Sequence, residues 1–150
     1  MTTDDSSPSQ HRRLAVTCNN TTWEMIEADR TPANDEEMLR RAYAAAYHWQ
    51  RAEGASPQNE ARAVWLLSKV HRLAGEPSRA LHYADACLAV CGQHGIADFD
   101  LAYALEARSR ALAALGRRDE AAEVWAAARE VPISDPEDRA VVEADLLEGP

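Results

Sequence analysis

LAGEPSRALHYADACL, residues 73–88, ends one helix and begins another within a few residues. Gly75 frees the backbone for a turn that other residues resist, and Pro77 fits only the first turn of a helix. Ala80, Ala84, Cys87, Leu88 and Cys91 then recur three or four apart, which predicts one apolar helix face. A second version follows at residues 115–128, LGRRDEAAEVWAAA, where Gly116 is the break and Ala121, Trp125 and Ala128 form the stripe. Asn34, Gly75 and Gly116 are spaced 41 residues apart, so the pattern has a period. In that register three helical hairpins begin near Asn20, Ala61 and Ala102. Their first helices carry Trp23, Val64 and Leu105, then Ile26, Leu67 and Arg108. Their second helices carry Leu39, Ala80 and Ala121, then Tyr43, Ala84 and Trp125, then Ala46, Cys87 and Ala128.

Outward from this stretch, helical patterns alternate with short breaks. A short helix is expected over 21–30. Asn34 with Glu37 reads as a capping-box variant opening a helix over 35–53. Ser56 followed by Pro57 opens the next, which runs to Ala74. Further helices are expected over 77–93, 98–115 with Asp98 as cap, 118–131 and 136–148. Residues 1–18 are polar and aperiodic and read as a flexible arm, leaving 19–150 as a single helical domain. No stretch alternates in the manner of a strand, so the fold class is all-α.

The hairpin pattern resembles the tetratricopeptide repeat over about residues 20–131. That family places a large residue, a small turn residue, a small alanine and an aromatic at fixed offsets over a helical hairpin. The period here is 41 rather than the usual 34 of that repeat. Arg108 stands where the family prefers leucine, and its late first-helix tyrosine is replaced by Arg30, His71 and Leu112. The resemblance implies a right-handed array of three hairpins plus a closing helix. It also implies a concave face, built by the first helices, that binds peptides or partner helices.

Bulk properties narrow the function. The chain has 150 residues, 46% of them hydrophobic, enough for one domain with a core. No window is long and apolar enough to span a membrane, and the N-terminus lacks a signal-peptide pattern, so a cytoplasmic protein is expected. Three cysteines read as reduced thiols. The net charge of −9 disfavours nucleic acid. The charge is uneven: residues 119–150 hold ten acidic and two basic side chains, whereas 60–118 hold six acidic and eight basic.

On the concave face implied by the resemblance, the second unit contributes Arg62, Trp65, Lys69 and Arg72, and the third Tyr103, Glu106 and Arg110. Thr21, Glu24 and Ala28 would come from the first. Arginine and aromatic side chains are common anchors of recognition, and this basic stripe suits a protein or peptide partner, acidic ones included. A homodimer is also compatible with a short array. The competing reading is a small-molecule or metal-binding domain, an enzymatic or sensory one included. Its candidate ligands are Cys87 and Cys91 at i and i+4, His94 a turn later, and Asp98 and His48. The simpler reading of these residues is structural: Cys87 and Cys91 as small core residues, His94 at a helix end and Asp98 as a cap. Tyr43 is expected in the core. No phosphate loop, nucleophile elbow or metalloprotease motif is present, so neither a cofactor nor an enzyme activity is expected.

Overall fold

The computed structural model describes residues 4–150. Its helices are α1 (Pro8–Glu27), α2 (Pro32–Trp49), α3 (Pro57–Leu73), α4 (Pro77–His94), α5 (Asp98–Ala114), α6 (Arg118–Glu130) and α7 (Pro136–Asp145). Among the described residues there is no strand, and no helix is long and apolar enough to cross a membrane. Proline opens five of the seven helices, a position where its missing N–H costs nothing. The helices form three stacked hairpins, α1–α2, α3–α4 and α5–α6, with α7 packed on the last.

The second and third hairpins are near copies. Gly75 and Gly116 both adopt left-handed backbone, φ 79° and 80°. The amide after each closes its helix by donating to the carbonyl five residues back: Glu76 to His71 at 2.8 Å and Arg117 to Leu112 at 3.0 Å. This is the Schellman closure, which needs a residue free to take positive φ. The buried residues Ala80, Ala84 and Cys87 in α4 match Ala121, Trp125 and Ala128 in α6. Alanines 102, 104, 107 and 111 are all buried on α5, so neighbouring backbones approach closely around it.

The first hairpin departs from the expected register. Residues 8–18, expected as a flexible arm, are the first half of α1, and residues 1–3 lie outside the described residues. Ser7 caps α1, with Gln10 completing a capping box. His11, Ala15 and Thr22 are its buried stripe; two of the three are polar, which conceals the helix from a hydrophobicity pattern. Thr31, not Asn34, caps α2, and Pro32 follows it. The buried positions of α2 are Met38, Ala42 and Ala45, one residue earlier than the repeat predicted. Tyr43 accordingly lies at the surface rather than in the core, 38% exposed. The turn from α1 to α2 carries no glycine, so it cannot copy the Gly75 and Gly116 closures, and the period breaks there.

Three apolar clusters run through the stack. One joins Met38 and Ala42 to Leu66, Leu67 and Val70. The next joins Ala61 and Val64 to Cys87, Cys91 and Ala104. The last joins Ala102, Trp125 and Ala128 to Ile133, Val142 and Leu146, and so seals the end with α7. The Trp125 indole N–H donates to the Leu146 carbonyl at 3.2 Å. The closing helix therefore covers the exposed end of the third hairpin, as a terminal repeat needs.

Candidate functional site

The seven residues expected on the concave face from the second and third hairpins line one groove of about 650 Å³: Arg62, Trp65, Lys69 and Arg72 on α3, and Tyr103, Glu106 and Arg110 on α5. From α1 the groove receives Asn19 and Trp23 instead of Thr21, Glu24 and Ala28, a consequence of the register shift in the first hairpin. Thr21 turns back on its own helix and donates to the Thr17 carbonyl. Phe99, Asp100 and Asp145 complete the polar and aromatic wall.

Aromatic rings form a continuous row along it. Trp23 stacks on Trp65 with centroids 5.9 Å apart and planes 25° apart. Trp65 meets Tyr103 edge to face at 5.8 Å, and Tyr103 meets Phe99 at 4.8 Å. The Trp65 N–H donates to the Tyr103 carbonyl at 3.1 Å, which fixes the indole across α3 and α5. The Lys69 ammonium sits over both indoles, 5.4 Å from Trp23 and 5.6 Å from Trp65, the arrangement in which ring quadrupoles attract a cation.

The charges of the groove divide into paired and unpaired. Arg62 grips Asp100 through two nitrogens, at 2.7 and 3.3 Å, and Gln58 donates to the same carboxylate at 2.6 Å. Arg110 pairs with Glu106 one turn back, with its guanidinium over the Trp125 ring. The Tyr103 hydroxyl donates to Asp145 of α7. Among the described residues, Lys69 and Arg72 have no carboxylate within ion-pair distance and no hydrogen bond from their side chains. Burial pushes the Lys69 ammonium below its ordinary value; Glu106 opposes that, while Arg72 and Arg110 add to it. Burial and then the Arg110 charge act in the same direction on Arg72. An arginine stays charged regardless, so the groove holds two half-buried basic side chains on which Glu106 acts from beyond ion-pair distance.

The metal-ligand candidates do not converge. The Cys87 thiol is buried and donates to the Ala61 carbonyl at 3.2 Å, and burial raises its pKa far above that of a free thiol. Cys91 is buried in the same cluster. His94 is exposed at the end of α4. His48 sits against α1, its Nδ1 2.8 Å from His11 Nδ1. Asp98 is not the cap of α5. It takes positive φ, 62°, and its carboxylate accepts from the Phe99 amide and from both the amide and hydroxyl of Ser134. It therefore ties the start of α5 to the segment before α7. Among the described residues, no three histidine, cysteine or carboxylate groups gather as a metal site would require.

Asn19, Trp23, Phe99, Asp100 and Asp145 are groove residues that sequence reading did not place there. Trp23 was visible but placed on the wrong face by a uniform 41-residue register. The partners of Asp100 and Asp145 lie 38 to 42 residues away in the chain, beyond any local signal. No protein-family model, curated protein or solved structure matches the chain.

Proposed function

We propose that the protein is a non-enzymatic binding module of tetratricopeptide-like design, whose groove between α1, α3 and α5 takes an acidic peptide segment. The observation that carries this reading is the pair Lys69 and Arg72, half-buried and without carboxylate partners, beside the stacked Trp23 and Trp65. Other groove cations are already committed: Arg62 to Asp100 and Arg110 to Glu106. An acidic side chain would neutralise Lys69 and Arg72, and an apolar or aromatic neighbour would cover the indole row. Arginine and tryptophan are the residue types that most often dominate binding energy in such patches.

The groove volume also lies within the range of small-molecule sites, which supports a second reading, an anionic small ligand in the same place. Native mass spectrometry of the purified protein separates the two, since a resident small molecule adds mass that denaturation releases.

Trp23 and Trp65 supply an intrinsic reporter. Titration with an oligo-glutamate peptide containing one tyrosine and no tryptophan should change the tryptophan fluorescence at low salt, to which Trp49 and Trp125 also contribute, and an oligo-lysine peptide of equal length should not. Lys69→Glu with Arg72→Glu should abolish the response while leaving helicity unchanged. An undiminished response in that double variant, or an equal response to oligo-lysine, would overturn the assignment.

A further inference from the structure

On the flank of the first two hairpins, away from the residues that line the groove, four side chains form a chain of polar contacts. Arg79 donates to the Tyr83 hydroxyl at 3.2 Å and reaches the Tyr43 hydroxyl at 3.5 Å. Tyr83 donates to Tyr43 at 3.0 Å. The Tyr43 oxygen is 2.8 Å from His71 Nε2. His71 is 4% exposed and stacks on Tyr83, with centroids 5.5 Å apart and planes 12° apart. Its other nitrogen, Nδ1, faces a carboxylate oxygen of Glu76 at 3.3 Å, close enough for an ionic contact but without hydrogen-bond alignment.

The two ends set the direction of this chain. Arg79 can only donate, and the Glu76 carboxylate can only accept. A proton on His71 Nδ1 is therefore favoured by Glu76, which leaves Nε2 as an acceptor. The Tyr43 oxygen already accepts from Tyr83 and Arg79, so its own proton points at Nε2. A phenol in this arrangement has a base on its proton and a cation beside its oxygen. This is the general pattern of an activated nucleophile, a base oriented by a third group.

We propose that Tyr43 is a covalent modification site: a nucleophilic phenol that loses its proton to His71 as its oxygen bonds to the phosphorus or sulfur of an anionic phosphoryl or sulfonyl donor held by Arg79, while the bond from that atom to its leaving group breaks and the leaving group departs with the electron pair. Nothing in the groove requires this cluster, and the two sites share no side chain. Tyr43 is accessible, 38% exposed, whereas the base beneath it is buried. Burial, with Arg79 in the same direction and Glu76 opposing, lowers the His71 pKa below the ordinary imidazole value and so favours the neutral ring. The groups that face this imidazole are Tyr43 from α2, Glu76 from the turn before α4, and Arg79 and Tyr83 from α4.

The same helix carries a built-in control. Tyr47, one turn on, is exposed to 41%, but its hydroxyl donates to the Asp4 carboxylate at 2.8 Å, which pushes its pKa up. The test treats the full chain at pH 7.5 with benzenesulfonyl fluoride and with its 4-carboxy analogue, and maps labelled tyrosines by mass spectrometry. In the reaction the phenol oxygen bonds to sulfur, the S–F bond breaks, fluoride leaves and the proton passes through His71 to buffer. Tyr43 should be labelled at least tenfold faster than Tyr47, and the carboxylated probe should be favoured at Tyr43 alone. His71→Gln should remove the excess rate, and acidification through the imidazole titration should do the same in the unaltered protein. Glu76→Gln, at an exposed turn position, offers a milder variant with an expected several-fold loss. Equal labelling of Tyr43 and Tyr47 would overturn the proposal without any variant. So would a Tyr43 rate indifferent to both substitutions, and indifference to probe charge would overturn the role of Arg79.

Discussion

Ser68 and Ser109 make the same buried bond in successive hairpins. Ser68 donates its hydroxyl to the Ala80 carbonyl at 2.8 Å, and Ser109 donates to the Ala121 carbonyl at 2.6 Å. Both are almost completely buried, at 2% and 0% exposure. Each clamps a first helix to the opening turn of the second. The 41-residue period is thus a repeat of bonding as well as of hydrophobicity.

Ser68→Ala and Ser109→Ala should each cost about 1 kcal/mol, the usual net worth of one intramolecular hydrogen bond. For a chain of this size, each 1 kcal/mol should lower Tm by roughly 2–4 °C. Thermal melts check this. A loss in one hairpin with none in the other would show that the two bonds are not equivalent.

Asp100 is 9% exposed, and the side chain that grips it, Arg62, is 56% exposed. Removing Arg62 should therefore destabilise the fold without removing the groove's free cations. A double-mutant cycle of Arg62→Ala and Asp100→Ala should give a coupling of about 1 kcal/mol, kept small by the solvent around Arg62. Urea unfolding measures it. Additive losses would show that the pair contributes nothing beyond its separate packing, and an Arg62→Ala variant that lost peptide binding entirely would move the anion site away from Lys69 and Arg72.

Acidification should weaken the fold in two stages. Burial, then the nearby His11 charge, lowers the His48 pKa below the ordinary imidazole value of 6.5, and burial does the same for His71. A histidine with a depressed folded pKa takes up its proton more readily in the unfolded chain. Stability is then full above pH 6.5 and falls as pH drops from there to the folded pKa values. A second loss follows at lower pH, because Glu37 is held down by its bonds to Arg41 and Arg40, and Asp98 by its bonds to Ser134. Urea midpoints from pH 8 to 3 should show both stages, and His48→Gln should shrink only the first. A midpoint independent of pH between 6.5 and 5 would contradict the histidine contribution.

Cys18 is the half-buried thiol, while Cys87 and Cys91 are buried. Only Cys18 should react with a thiol reagent in the native protein, slowly because burial raises its pKa. Cys87 and Cys91 should join it after unfolding. Chelator should leave Tm unchanged; a lowered Tm would reinstate the cysteine pair as a metal site.

The helix boundaries from α3 onward were legible because their signals are local. Pro57, Gly75, Pro77, Gly116 and Pro136 mark starts and stops whatever the rest of the chain does. The composition of the α3 and α5 groove faces was legible for the same reason, since Arg62, Trp65, Lys69 and Arg72 share a helix face by spacing alone. The start of α1 was not, because its buried face is made of His11, Ala15 and Thr22, and polar residues leave no hydrophobic period.

What the tertiary structure decided is which of these side chains meet. Arg62 and Arg72 look alike in sequence, yet one is bound to Asp100 and the other has no carboxylate partner among the described residues, because only stacking α5 on α3 brings a carboxylate to Arg62. Tyr43 and Tyr47 are alike in sequence too, and packing gives one a histidine and the other an aspartate. Backbone propensity acts over a few residues, so the chain by itself determined the helices. The contacts that set Arg62, Tyr43 and Tyr47 apart join residues 28 to 43 positions apart, so only the packed hairpins determined them.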